Sequence, residues 1–277
     1  TIERRVLPVA LGQVLHLDHW RLHLQAAANL MATGRRRQSA RALEGNDLLP
    51  AKPSHYSPRM VVLAWLVVVL AGYLPGSVPA GFLAGRLKGV DIRTVGSGNI
   101  GATNAFRVLG KGIGVAVLLV DEMKGLLPCL FLPGVVAGLF PEGRVPEPET
   151  VKLLIGMSAI LGHNYPCWFG FKGGKGIATT AGVVGALASV PLGICLGAWI
   201  VFFAVSRYVS VASIAAAVAL PVSVAALPGG GVDRFGTLFW VFLLLGVMAI
   251  WKHRMNIQRL MNGTEDRMWS KREEAVN

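Results

Sequence analysis

Charge is what this chain has little of. Of its 277 residues only 15% are Asp, Glu, Lys or Arg, against 53% hydrophobic, and the mean hydropathy is +0.54. A soluble domain carries about a quarter charged residues. The composition therefore excludes a soluble globular protein and points to a polytopic membrane protein with one membrane domain. Acidic residues are scarcer still: 15 Asp and Glu stand against 27 Lys and Arg, a formal net charge of +12. In a soluble protein that excess would suggest nucleic acid. Here it fits basic loops at a membrane surface and an anionic lipid or substrate, and no nucleic-acid partner is expected. Cysteine is sparse as well. Cys129, Cys167 and Cys195 lie in or beside apolar segments without disulfide or metal spacing. They read as small core hydrophobes, and neither metal nor cofactor is expected. No internal repeat is evident, which weighs against a repeat-built transporter.

What the chain has is long apolar runs. A bilayer core takes roughly 20 apolar residues per helix. Runs of that kind fall at 60–86, 113–140, 151–165, 177–190, 191–206, 209–227 and 235–251. The predicted fold is all-α, with about seven transmembrane helices. The runs 177–190 and 191–206 are one continuous stretch, and the break is expected near Pro191.

Residues 1–59 do not match the rest. They are Arg-rich (Arg4, Arg5, Arg21, Arg35, Arg36, Arg37, Arg41, Arg59) and scatter His16, His19 and His23 through a weakly apolar stretch. Two readings stand: an upstream extension that ends where Met60 begins, or an amphipathic interfacial helix with a basic tail. Residues 60–265 form the membrane domain, and 266–277 a tail.

The loops sort by charge. The first carries Arg86, Lys88, Arg93, Arg107 and Lys111 against Asp91; the third carries Lys172 and Lys175; the stretch after the last run carries Lys252, Arg254 and Arg259. The second holds Glu142, Glu147 and Glu149 against Arg144. Odd-numbered loops and the C-terminus thus share one face, and the positive-inside rule makes that face cytoplasmic. The Arg-rich residues before Met60 would then lie outside, which favours the extension.

Three polar clusters lie on that face. The first is Val95-Gly-Ser-Gly-Asn-Ile-Gly-Ala-Thr-Asn-Ala-Phe-Arg107. Gly96, Gly98 and Gly101 let backbone N–H groups turn toward an anion, Ser97, Asn99, Thr103 and Asn104 add short polar groups, and Arg107 supplies a phosphate fork. The alternative is a flexible polar loop between helices. The second cluster is Lys172-Gly173-Gly174-Lys175-Gly176, preceded by His163. It is not a Walker A loop, because Gly176 rather than Ser or Thr follows Lys175. It reads as anion-binding, or as a basic turn at the headgroups. In the third, His253, Asn256 and Arg259 are three apart and so share a helix face. His253 and Glu265 are candidate acid–base or orienting groups. Within the second run, Asp121 and Lys124 are also three apart; ionisable groups there mark function or a structural pair.

Taken in order, these motifs carry a resemblance. Gly76-Ser-Val-Pro-Ala-Gly81, Asp91-Ile-Arg93, Gly96 to Asn104 with Arg107, Asp121-Glu-Met-Lys-Gly125, Gly162-His163 with Lys172 to Gly176, and His253-Arg254 with Gly263-Thr-Glu265 together resemble the acyl-phosphate:glycerol-3-phosphate acyltransferase family (PlsY) of the bacterial inner membrane. The resemblance covers residues 60–265. It implies seven helices, glycine-rich active-site loops facing the cytoplasm, and transfer of a fatty acyl group from acyl phosphate to glycerol 3-phosphate. The product is 1-acyl-glycerol 3-phosphate (lysophosphatidic acid), the first step of phospholipid biosynthesis. It implies catalytic roles for Ser97, Arg107, Lys175, His253, Asn256 and Glu265. Substrate binding falls to Gly96, Gly98, Asn99, Gly101, Thr103, Asn104, His163, Lys172, Gly173, Gly174 and Gly176. The expected partners are the two substrates and membrane lipid, and the expected state is a monomer. A side-chain nucleophile is not required, since acyl phosphate already carries a good leaving group. The H-x-x-x-x-D acyltransferase pattern is absent: five positions beyond the six histidines stand Arg21, Leu24, Ala28, Met60, Trp168 and Gln258. An organophosphate or anion transporter using the same basic loops is the competing function, with Asp121 and Lys124 as its midplane ligands.

Overall fold

The computed structural model describes residues 58–140, 147–227 and 236–268. The regular elements among those residues are all helices, with no strand. In chain order the helices are α1 (Pro58–Gly76), α2 (Ala80–Leu87), α3 (Ala102–Val108), α4 (Lys111–Leu139), α5 (Pro148–Asn164), α6 (Ile177–Leu187), α7 (Ser189–Ser206), α8 (Val209–Ala226), α9 (Thr237–Lys252) and α10 (Arg254–Met261), with a 3-10 turn at Cys167–Phe169. Of the expected extension, residues 1–59, all but the last two lie outside the described residues, as do most of the acidic second loop and the tail beyond Met268.

The expected spans differ from the helices in two ways. The run 60–86 is two helices, because Pro79 has no N–H with which to continue α1. The break in the long run falls at Ala188, three residues before Pro191. Pro191 sits in the first turn of α7, where a missing N–H costs no hydrogen bond, so it begins a helix rather than dividing one. By length and apolarity Pro58–Leu87, α7 and α8 qualify as spans, and α9 with α10 adds a fourth if that pair, bent by 52°, is one element. Helix α4 has 29 residues but carries Asp121, Glu122 and Lys124. Helix α6 has only 11; at 1.5 Å per residue it is ~16 Å long, about half of a ~30 Å hydrocarbon core.

Small residues set the packing. In a bilayer there is no water to drive helices together, so close van der Waals approach has to. Helix α1 lies against α5, and a methyl group at Gly72 or Gly76 would overlap the Ile155 or Ala159 backbone. Helix α4 lies against α6 in the same way: side chains at Gly125 and Gly182 would collide with the Thr179 and Glu122 carbonyls. The main core runs through Val68, Ile155, Val183 and Phe242. A second, smaller cluster of Ile92, Ile100, Ala105 and Val117 lies under the first glycine loop and pins both of its ends.

Candidate active site

Polar residues from three parts of the chain close around one cavity of about 510 Å³. Ser97, Asn99, Gly101, Thr103, Asn104 and Arg107 line it from the first loop and α3; His163, Lys175 and Gly176 from the second; His253, Asn256 and Glu265 from the third. Its other end is apolar, walled by Val115 and Leu118 of α4, Ala181 of α6, and Leu192, Leu196 and Trp199 of α7. A polar, cationic head thus opens onto an apolar trough.

The first loop is held by Asn104, which is fully buried. Its Nδ2 donates to the Ile92 and Val95 carbonyls, both at 3.1 Å, and its Oδ1 accepts the Ser97 N–H at 2.9 Å. An amide has two donors and two acceptor sites, so Asn104 keeps at most one acceptor site for a substrate. It shapes the loop before it binds anything. Gly96 and Gly98 take left-handed φ values of 64° and 69° and shape it too; neither lines the cavity. The loop amides of Ser97, Gly98 and Gly101 are also engaged internally, by Asn104, Val95 and Asn99. The anion cradle expected from glycine spacing is therefore partly filled by its own chain.

In the second loop, Lys172 is exposed and does not line the cavity. Gly173 and Gly174 are packing positions: a side chain at either would strike His163. Their amides donate to the Asn164 and His163 carbonyls. Lys175 is the cation this loop delivers. Its Nζ donates to Asn256 Oδ1 at 2.5 Å. Burial pushes its ammonium down to about 8; Glu265 opposes that, and Arg259 and Arg107 add to it. Arg107 points the same way, with Nη2 donating to the Asp266 carbonyl at 2.9 Å.

The third cluster is organised by Glu265, whose side chain is 5% exposed. Oε1 accepts from Asn256 Nδ2 (2.6 Å) and Ser210 Oγ (2.8 Å), and Oε2 from Arg259 Nε (2.8 Å). Burial alone would raise this carboxyl, but those three donors outweigh it and hold the pKa below the usual range. Glu265 is thus an ionised brace, not a proton donor. His253 sits at the bend between α9 and α10, and its Nδ1 faces the Ala249 carbonyl at 2.8 Å. A carbonyl only accepts, so Nδ1 carries the hydrogen and Nε2 the lone pair. Burial, with Lys175 nearby, pushes the ring down to about 4. His253 is neutral at pH 7, in one tautomer.

Asp121 and Lys124 pair at 2.9 Å. Lys124 Nζ also donates to the Val78 carbonyl at 2.9 Å, in the break between α1 and α2. His163 Nδ1 stands 3.6 Å from Asp121 Oδ1. These groups engage one another across α4, α5 and the α1–α2 break, which is the structural reading of that pair and leaves little for a transported ion.

The chain's motif order and this cavity can be set beside known proteins. A family model described as glycerol-3-phosphate acyltransferase matches residues 66–263. The chain belongs to the glycerol-3-phosphate acyltransferase family. A glycerol-3-phosphate acyltransferase of Chlorobium phaeobacteroides is 41% identical over 230 residues, covering 75% of this chain and 97% of its own. A crystal structure of PlsY (YgiH), an integral membrane glycerol 3-phosphate acyltransferase, in its glycerol 3-phosphate form, is 38% identical. It superposes with a TM-score of 0.64 over 74% of this chain and 96% of that one. The lysophosphatidic acid form of PlsY gives 37% identity and a TM-score of 0.62, over 74% and 95%.

Two residues at or beside this cavity escaped the sequence reading. Ser210 donates to Glu265 from the first turn of α8, and the Asn164 carbonyl accepts from both Gly173 N–H and Lys252 Nζ. Ser210 and Ser213, three apart at the start of an otherwise apolar run, are the signal that marks a polar face of α8.

Proposed function

We propose that this chain is a multi-pass membrane acyltransferase that moves a fatty acyl group from acyl phosphate to glycerol 3-phosphate, releasing phosphate and 1-acyl-glycerol 3-phosphate. The observation that carries the reading is the junction of a cationic head, with Arg107 and Lys175, and an apolar trough in one cavity. An acyl phosphate has that polarity along its length. In the proposed reaction Arg107 and Lys175 hold phosphate oxygens, and charge growing on the leaving phosphate strengthens those contacts in the transition state. The hydroxyl oxygen of glycerol 3-phosphate attacks the acyl carbon, and the bond from that carbon to the phosphate oxygen breaks. The hydroxyl proton goes to Nε2 of His253, which its neutral state and single tautomer leave ready to accept it. Ser97, Asn99 and Thr103 offer hydrogen bonds to the substrates, and Glu265 holds Asn256 and Arg259 in place. No protein nucleophile is required.

We place the protein in the bacterial inner membrane as a monomer, with about seven crossings and the cavity facing the cytoplasm. The Lys and Arg bias of the loops around the cavity supports that side. Purified protein with synthetic acyl phosphate and labelled glycerol 3-phosphate tests the function. Lysophosphatidate and phosphate should form together, and acyl-CoA of equal chain length should be a poor donor. No product from acyl phosphate refutes the reading. Efficient turnover of acyl-CoA without inhibition by added phosphate refutes the donor.

A further inference from the structure

A second cluster of cations and aromatics lies in the turn before Lys172 and in α2. Gly170 and Phe171 both adopt left-handed backbone, at φ 56° and 62°. Glycine does so freely; phenylalanine there is strained, and such strain persists where the surroundings hold it or use it. In this turn two large rings stand outward: Phe171 is 62% exposed and Trp168 61%. Phe169, between them, turns inward and meets Phe82 of α2 edge-on at 4.5 Å. The Arg93 guanidinium lies over both rings, 4.8 Å from Phe82 and 5.4 Å from Phe169, and Arg86 lies over Phe82 at 5.2 Å. Arg93 also forks Asp91 through bonds of 2.9 and 2.7 Å, so that carboxylate is already engaged. Arg86, Lys88 and Lys172 are exposed cations in or next to the same two segments.

We propose that this exposed tip is a binding surface for anionic phospholipid headgroups of the surrounding leaflet. Trp168 and Phe171 lodge beneath the headgroup plane, and Arg86, Lys88 and Lys172 meet the lipid phosphates. The cations alone would fit an acidic protein equally well. The paired exposed rings favour lipid, because aromatic rings are enriched at headgroup depth while interfacial Lys and Arg draw anionic lipids. The stack of Phe82, Phe169 and Arg93 joins this tip to both glycine loops, since Arg93 leads into one and Phe169 into the other. Lipid contact therefore steadies the walls of the cavity. The inference goes beyond the acyltransferase reading and is tested without turnover.

The test uses the full chain in proteoliposomes whose lipids carry bromine on their upper acyl carbons. Quenching of Trp168 is the difference between the wild type and Trp168→Phe. Brominated phosphatidylglycerol should quench Trp168 more than brominated phosphatidylcholine at equal mole fraction. The triple variant R86Q/K88Q/K172Q should abolish that preference, weakening anionic-lipid binding about fivefold per cation removed. Phe171→Gly removes the ring and the backbone strain together. It should keep or raise the melting temperature while lowering quenching by either lipid. Equal quenching by the two lipids, or a preference that survives the triple variant, overturns the anionic surface. No quenching by either lipid overturns the anchor altogether.

Discussion

The Lys175 ammonium makes a quantitative prediction. Burial, outweighing Glu265, pushes it down to about 8, so it is roughly nine-tenths charged at pH 7 and a tenth charged at pH 9. If Lys175 holds the substrate phosphate, KM for glycerol 3-phosphate should be nearly flat around pH 7 and rise toward tenfold per pH unit above 8. The competing titrations fall elsewhere. The phosphate loses its second proton near ~6, and His253, at about 4, is neutral throughout. A bound phosphate raises the lysine's affinity for its proton, so binding at pH 8.5 takes up protons, which calorimetry in buffers of different ionisation enthalpy reads directly. The sign also separates the effect from unfolding. Between pH 8 and ~10.4 the unfolded lysine binds more protons than the folded one, so this group makes folding more favourable as pH rises while affinity falls. Lys175→Arg keeps its charge beyond pH 12 and should flatten the profile. Lys175→Gln loses a charged hydrogen bond, about 1.5–3 kcal/mol, or one to two decades in kcat/KM. A KM that stays flat to pH 10 in the wild type, or rises equally in Lys175→Arg, refutes the phosphate role.

Four further outcomes are expected. Arg107→Ala should lower kcat/KM by roughly one to two decades, and Lys at the same position should rescue poorly because an ammonium cannot form a two-pronged contact; full rescue would leave only charge attraction. Asp121→Asn leaves the buried Lys124 charge without its partner and should cost about 3–5 kcal/mol, read as a fall in thermal stability in detergent; an unchanged melting temperature argues against a structural pair. Cys167 is exposed while Cys129 and Cys195 are buried, so a membrane-impermeant maleimide should label the native protein after permeabilisation and miss it in intact cells; labelling of intact cells would put the cavity on the outer side. A chain beginning at Met60 should insert and turn over, and failure to fold would show that the preceding residues belong to the membrane domain.

Much of this was legible before any coordinates. Low charge and long apolar runs specify an all-α membrane protein, because a bilayer tolerates few other ways to satisfy the backbone. The motif order points to the family, and the helical spacing of His253, Asn256 and Arg259 is realised along the bend and α10. Those signals are local: they depend on residues a few positions apart, and spacing reports them. What spacing cannot report is which partner across the bundle a group will meet. Gly173 and Gly174 look like a phosphate cradle in sequence, yet they exist because His163 leaves no room for a side chain. Lys172 and Lys175 look interchangeable three positions apart; the fold exposes one and sets the other, half-buried, beside Asn256, 81 residues on. Glu265 and His253 were equal candidates for acid–base work. Three donors gathered from α8 and α10 keep the first ionised, and one carbonyl within α9 sets the tautomer of the second. Burial and long-range hydrogen bonds are properties of the packed bundle, and they decide which polar residues remain free to act.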